Sequence, residues 1–576
     1  MINHIVRKLH ILLILIFLPV IALAQSADEP SSLLPDINPQ DIEIRGEFRP
    51  RFTGITRQPI LGFNPTPRVF RIDPNRMPFL ETPEQVVASL PLAQLEAELG
   101  PPRNLFQFPT RSNFLGYLGY GMFNSPEARL FVSAPLGSRG AVYSDVFFSS
   151  SEGHLENQAV QGSFRRLHGD VTYRHQLSLN SEAWGGVRGR YDFSPASIDF
   201  DLNSRLDLNV VGAHGGWASA TSAFDFMKFG LNVSHTSTDN SRYSIPVPGQ
   251  LPGFPILPNT MSENRFTLDG ELSRAGRRPG HIFKFETSHD FGFYEFQQND
   301  EFWHVSELSG YWNRQLNNGN RLNVGLRAFF GQDELSGAVF RAYPYVQYQF
   351  KAFNGFRFDA LFSGEMRNHG LEDALITNRH AIAGGQLVNE QRVFGNLRTE
   401  LDLANMITVH GFLNASYTSR PRMFTANNGS WVHPKELFLL QPGGGVSVYV
   451  MPELLILYSS FSVNIYDLND TVFESFQNLE RYRFTSGIRS TPAKNLSLRS
   501  WFDIIGPRKN ELPQNPGLQV PDTGNIFLLN AKAEYRINGV VGVYVKAYNL
   551  LNQSYRLWPF FEERPLQIYG GVTFKF

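Results

Sequence analysis

The chain has 576 residues, 52 basic against 53 acidic side chains, and no cysteine. That balance leaves no basic footprint for nucleic acid, and the missing thiols exclude disulfide scaffolds, cysteine nucleophiles and cysteine-ligated zinc or iron–sulfur centres. With 49 Phe, 21 Tyr, 7 Trp and 49 Gly, and a mean hydropathy of −0.24, the profile is that of a large all-β protein rather than a bundle of membrane helices.

In chain order, residues 1–24 read as a secretory signal. Arg7 and Lys8 form a basic start, Ile11–Ile21 an apolar run, and Ala22-Leu23-Ala24 a small-residue cleavage site before Gln25. No later stretch is apolar enough to cross a bilayer as a helix, so a membrane-spanning body must be a closed barrel. Residues 25–112 form a distinct N-terminal segment. It opens on a Pro/Ser linker (Ser31–Gln40) and carries dense prolines from Pro59 to Pro78. Thr82-Pro83-Glu84 has the N-cap hydroxyl, first-turn proline and acid of a helix start, predicting a helix over 84–99.

From Asn113 to Phe576 period-two alternation dominates. Leu322, Val324, Leu326 and Ala328 alternate with Arg321, Asn323 and Arg327, and Leu397, Thr399, Leu401 and Leu403 alternate with Arg398, Glu400 and Asp402. A soluble sandwich alternates too, so the links decide. Short ones (Pro135–Gly140, Leu179–Glu182, Ala220–Ala223, Arg277–Gly280, Asn317–Asn320, Asn538–Gly539) are interleaved with long ones. The long links include Ser241–Glu263, His369–Gln391, Pro421–Glu436, Asn469–Glu480, Gly506–Asn525 and Asn552–Pro565. Tight turns on one rim and long loops on the other are the pattern of an outer-membrane barrel. About 22 strands fit, because residues 113–576 then allow about 21 residues per strand and link. The predicted fold is therefore a large transmembrane antiparallel β-barrel with a short N-terminal periplasmic or lumenal segment.

The last strand carries Ile568, Gly570, Val572, Phe574 and Phe576 on one face, with Tyr569, Thr573 and Lys575 on the other. A strand with no tail suits closure against the first strand. Together with Ala547-Tyr548-Asn549-Leu550-Leu551-Asn552-Gln553-Ser554-Tyr555 and Trp558, this end resembles that of a TonB-dependent receptor barrel. The resemblance covers about four-fifths of the chain. It implies an outer-membrane transport or receptor barrel in a Gram-negative-type bacterium, set in outer-membrane lipid and inserted by the barrel-assembly machinery. It further implies TonB or a surface lipoprotein as partners, and no cofactor. Residues 25–112 show neither a plug pattern nor a TonB-contact segment, so the chain reads as a receptor-type barrel with a missing or much reduced plug. An empty barrel of this size would have a backbone diameter near 44 Å and a gap roughly 25 Å wide. Something must obstruct it: residues 25–112 reaching into the periplasmic mouth, the expectation favoured here, or long loops folded inward, or another protein.

Isolated motifs carry little chemistry. His304-x-x-Glu307 lies in a strand and lacks zinc-helix spacing. Asp467-x-Asn469-Asp470, expected in an outer loop where it could ligate calcium, lacks the glycine and distal acid of a calcium loop. Gly116-x-x-Gly119-x-Gly121 and Gly443–Gly445 read as strand glycines at a bend or at a close aromatic contact. The informative polar residues are Arg357, Asp359, Glu365 and Arg367 on one strand and Arg398, Glu400 and Asp402 on its neighbour. They are expected in the lumen, either as a self-paired solvated wall or as a substrate path. Trp303, Tyr311, Trp312, Tyr343, Tyr345 and Tyr348 are expected in interfacial girdles. The function predicted is transport or reception, with ligand captured by extracellular loops and passed through or into the lumen. The alternative is a non-transporting anchor or assembly component that binds a partner protein.

Overall fold

The computed structural model describes residues 109, 111–153, 163–198, 201–221, 224–242, 260–296, 299–316, 319–352, 355–378, 385–403, 406–424, 431–451, 454–470, 479–509, 523–558 and 561–576. The expected signal segment, the helix over 84–99 and nearly all of residues 25–112 lie outside the described residues. The body is a closed antiparallel barrel of 22 strands. The first eight are β1 (Asn113–Gly121), β2 (Ser125–Pro135), β3 (Gly140–Glu152), β4 (Ser163–Ser178), β5 (Ser181–Ile198), β6 (Asp201–Ser219), β7 (Phe226–Arg242) and β8 (Met261–Ala275). Then follow β9 (His281–Phe296), β10 (Asn299–Gln315), β11 (Arg321–Asp333), β12 (Gly337–Lys351), β13 (Phe356–Arg367), β14 (Glu390–Leu403), β15 (Ile407–Ser419) and β16 (Glu436–Met451). β17 is Leu455–Val463, continued as Ile465–Asn469 past a break at Asn464. The set ends with β18 (Tyr482–Ala493), β19 (Leu496–Ile505), β20 (Ile526–Arg536), β21 (Val541–Tyr548) and β22 (Gln567–Lys575).

Each strand pairs with its sequence neighbours, and β22 pairs with β1 from Leu115↔Lys575 to Gly121↔Tyr569. Period-two alternation sorts the side chains. On β6, Val211 is 67% exposed while Val210 is 2% exposed, so adjacent residues occupy different environments. The exposed face carries Phe283, Phe285 and Phe293 on β9, Leu326 and Phe330 on β11, and Val543 and Val545 on β21. The opposite face carries Glu286 and Asp290 on β9, Arg327 on β11 and Lys546 on β21. Greasy outside and polar inside inverts the order of a soluble protein, and suits a wall whose backbone groups are paired around a closed ring in lipid.

Every connection at one rim is short: 136–139, 179–180, 276–280, 316–320, 404–406, 452–454, 494–495 and 537–540 are examples. The terminal Phe576 exchanges backbone bonds with Phe114 at this rim (3.2 and 2.9 Å). The other rim carries the long links, although only two or three residues separate the strands in the pairs β1–β2, β5–β6, β9–β10 and β11–β12. Among the described residues one helix, α1 (Gly370–Thr377), is present, in the long link between β13 and β14.

The aromatic girdle expectation needs correcting. Trp312 and Tyr348 share the face of the exposed Leu308 and Val346, but Trp303, Tyr311, Tyr343 and Tyr345 have the opposite parity and point inward. Trp303 is 1% exposed and belongs to a lumenal core. Trp and Tyr here serve both faces, so residue type alone does not say which one.

The wall is not uniform in height. β12 pairs with β11 as far as Gly337, but with β13 only from Lys351↔Arg357 to Val346↔Phe362. Pro344, two residues on, has no N–H to offer another rung. Beyond Phe362 the β13–β14 hairpin leans inside β11 and β12. Arg327 on β11 donates to the Gly364 carbonyl (3.1 Å), and Met366 packs with Val305 and Phe329 in a small buried cluster.

Candidate functional site

The inward lean carries the long β13–β14 link into the lumen, where it builds a second hydrophobic core. Leu371, Ala374 and Leu375 of α1, with Leu387, pack against Leu206, Leu208 and Val210 of β6, Met261 of β8, Tyr294 of β9 and Trp303 of β10. Phe424 and Trp431, from the β15–β16 link, complete it. These wall positions are the inward set of their strands. The segment Gly-Leu-Glu-Asp-Ala-Leu-Ile-Thr places its apolar residues at 371, 374 and 375, one face of a helix.

Hydrogen bonds fix the link at both ends. Glu263, 1% exposed, accepts from the Leu371 backbone N–H at 2.7 Å and from Trp303 Nε1 at 2.9 Å. Its carboxyl oxygens sit at the start of α1, where backbone N–H groups lack intrahelical partners and need acceptors. Gly370 makes this approach possible. Its φ is +59°, and a Cβ there would fall 2.9 Å from Arg265 Nη1 and 3.0 Å from Glu263 Oε2. Arg188 on β5 reaches Glu372 at 3.0 Å, and Arg265 lies 3.6 Å from Asp373 while its Nε donates to Asp290 at 2.9 Å. At the return, Asn389 donates its backbone N–H to Asp333 (3.1 Å) and its side-chain amide to the His304 carbonyl (3.1 Å). Asn368 donates to the Asn389 side chain at 3.1 Å, joining the two legs.

The β15–β16 link clasps this insert from above. The Gln386 carbonyl accepts from Trp431 Nε1 at 2.9 Å and lies 3.0 Å from His433 Nε2; His433 Nδ1 lies 3.2 Å from the Arg420 carbonyl. Burial lowers the His433 imidazole below its ordinary range, although both carbonyls pull the other way. Burial likewise brings Arg422 down to about 10 despite Asp373 and Glu390 nearby, so it keeps its charge at neutral pH. Arg422 Nη1 lies 3.4 Å from the Gly370 carbonyl. A second clasp ties three other long links. Glu480 accepts from Arg483 (2.7 Å) and Arg508 (3.0 Å), and Arg508 also donates to the Leu557 carbonyl (2.9 Å). Burial alone would raise the Glu480 carboxyl, but the two guanidinium groups hold it below the usual range.

The polar residues singled out in the sequence fall on the next wall section. Register places Arg357 opposite Glu400, Asp359 opposite Arg398 and Glu365 opposite Arg392. Arg357 and Glu400 are 3.2 Å apart and Arg392 and Glu365 3.6 Å; Arg367 lies 4.0 Å from Glu365. Asp359 accepts from Gln349 at 2.8 Å, and Asp402 accepts from Thr408 at 2.7 Å. These groups largely satisfy one another. The denser assembly around Glu263, Trp303 and Arg265 was not singled out, since its contacts join residues 25, 40 and 108 positions apart in the chain and no local spacing links them. Of the rejected motifs, His304 and Glu307 take opposite faces of β10, and Asp467 and Asn469 lie in the second part of β17 rather than in a loop. Among the described residues no group of three or more His, Asp or Glu is placed to hold a metal ion.

No family model and no curated protein sequence matches the chain. Solved structures do match its fold. The FrpB iron transporter from Neisseria meningitidis aligns with a TM-score of 0.65 at 10% identity, over 82% of each chain. The ferric-catecholate import receptor Fiu from E. coli K12 gives 0.60 at 10% identity, again over 82% of each. The ferripyoverdine receptor of the Pseudomonas aeruginosa outer membrane gives 0.60 at 11%, over 82% of this chain and 72% of that one. The chain thus shares the 22-strand barrel of TonB-dependent receptors.

Proposed function

We propose that this chain is an outer-membrane receptor or transport barrel. Extracellular loops capture a ligand and deliver it to a lumen narrowed from within by the β13–β14 insert. The observation that carries this reading is the insert itself. A core of apolar side chains, a buried carboxylate on a helix start and ion pairs to β5 and β8 hold chain inside a wide polar bore. An anchor that only displayed loops would have no need of so closely fitted an internal constriction. The neighbouring folds include a ferric-catecholate import receptor and a ferripyoverdine receptor. Ferric chelates are therefore the first ligand class to test.

Planar-bilayer conductance of the full chain is the direct experiment, comparing it with a variant whose residues 370–387 are replaced by a short Gly/Ser linker. A transport barrel narrowed by the insert predicts small or gated currents that grow clearly in the variant. Silence from both proteins, together with co-purification of a stoichiometric partner from outer membranes, would favour the anchor. Coupling to TonB or to a surface lipoprotein is read from that same purification.

A further inference from the structure

Across most of the inner wall, register sets opposite charges against each other, as in Arg357↔Glu400, Asp359↔Arg398 and Glu365↔Arg392. One row breaks this order. Arg489 on β18 lies opposite Arg499 on β19, Arg499 opposite Lys532 on β20, and Lys532 opposite Lys546 on β21. All four have the parity opposite to the exposed Ile488, Leu498 and Val545, so they face the lumen. Like charges directly opposite on neighbouring strands repel, and a run of four concentrates that repulsion. Elsewhere among the described inward rungs, like-charge neighbours come in twos with a counter-ion at hand. Glu271 and Glu286, for instance, share Lys284 at 3.2 and 2.5 Å.

Here the counter-ions run short. Lys546 is taken by Glu127 at 2.6 Å, and Lys532 has Glu534 at 3.4 Å. Neither Arg489 nor Arg499 has a carboxylate within 4 Å among the described residues. Arg499 is instead held open by aromatic rings. Its guanidinium lies 4.9 Å from the Trp501 ring and 5.7 Å from the Tyr458 ring, and its Nε donates to the Tyr458 hydroxyl at 3.2 Å. Tyr458 reaches it by lying across Gly487, where a Cβ would fall 2.6 Å from the Tyr458 ring. Cation–π support fixes a guanidinium in place without neutralising it. With Asp503, four positions along β19 and bonded by Thr485 and Asn530, counted in, four cations face three carboxylates and the band stays net positive.

We infer that this row is a lumenal subsite for a multivalent oxyanion, a ligand with several phosphate, sulfate or carboxylate groups, centred on Arg489 and Arg499 and extended by Lys532. Strands spaced about 4.8 Å apart stretch the four cations over roughly 14 Å, which suits linked acidic groups rather than one small ion. Guanidinium forks match such oxygens two at a time. The subsite rests on the reading of the lumen as a ligand path, but its binding can be measured without transport.

The test is isothermal titration of the full-length protein, in zwitterionic detergent, with tripolyphosphate. Three double variants are compared: R489Q/R499Q, the charge-preserving R489K/R499K, and a charge-matched control, R129Q/R190Q. The control removes inward arginines already paired with Asp145 and Asp192. Wild type should bind saturably. R489Q/R499Q should lose about tenfold or more in affinity, the lysine variant should lose less because it keeps the charge but not the fork, and the control should stay within about threefold. Heat-dependent gel mobility checks that each barrel is closed. Absence of saturable binding by wild type, or equal losses in R489Q/R499Q and the control, overturns the subsite. Failure of the conductance experiment would overturn the transport reading and leave this binding result standing.

Discussion

At Glu263 one carboxylate serves two donors, the Leu371 N–H and Trp303 Nε1, in a nearly fully buried place. Both are N–H groups, so both need an acceptor. Replacing Glu263 with Gln offers one acceptor oxygen and one amide, and the amide would face a donor. A buried donor left unmet costs about 1–3 kcal/mol, and the loss falls on the attachment of α1 rather than on the strand ladder. Glu263→Gln should therefore make residues near α1 susceptible to a protease added from the loop side, while the folded barrel band on a gel persists. Unchanged digestion would show that the apolar core alone holds the insert. This residue was not legible in the sequence. Glu263 lies in a strand with ordinary alternation, and its main partner is 108 positions away. The glycines were easier to read: Gly116, Gly119 and Gly121 do lie under the rings of Phe574, Tyr544 and Tyr569.

Among elements, the strands were readable because each carries its own period and the turns between them are marked by Asn, Gly and Pro. Links such as Arg277–Gly280 and Asn317–Asn320 fall between strands as expected. The insert was not. An eight-residue helix is too short to stand on propensity alone, and it exists because α1 finds a ready apolar surface on β6 and β10. The clasp above it is open to a pH test. Burial lowers the His433 imidazole, so its neutral form is favoured in the folded clasp, beside Arg422 and with Glu390 more weakly opposing. A base with a lowered folded value gives stability that is complete above its ordinary range, about 6.5. That stability is lost as pH falls below this value, because the released loop takes up the proton first. The chain has no cysteine, so a nitroxide on Ile376→Cys reports cleanly. Its spectrum should sharpen between pH 7.5 and 5.5, and His433→Gln should remove most of that change. An equal response in both proteins would assign it to other groups.

For the molecule as a whole, the problem is closure: the first and last strands must find each other and no other edge. The sequence showed a closing strand, yet not what locks it. Tyr544 on β21 faces Gly571 on β22, which faces Gly119 on β1, which faces Glu127 on β2. Two glycines form a floor on which the tyrosine lies, and its hydroxyl donates to Glu127 Oε1 at 2.6 Å across the seam. Lys546 reaches the other oxygen of Glu127 at 2.6 Å, with both side chains only 6% exposed. Its ammonium also lies 4.8 Å from the Tyr569 ring and 5.9 Å from the Tyr117 ring. Removing one member of such a pair strands the other charge and costs about 3–5 kcal/mol, whereas removing both can be nearly neutral. Glu127→Ala should thus lower the temperature at which the compact gel band converts to the unfolded one, and Glu127→Ala with Lys546→Met should recover most of that loss. Gly119→Ala, which puts a methyl where the Tyr544 hydroxyl lies, should resemble Glu127→Ala because it prevents the same crossing. If all three convert at the wild-type temperature, backbone pairing between β1 and β22 is sufficient for closure and the side-chain strap adds nothing to it.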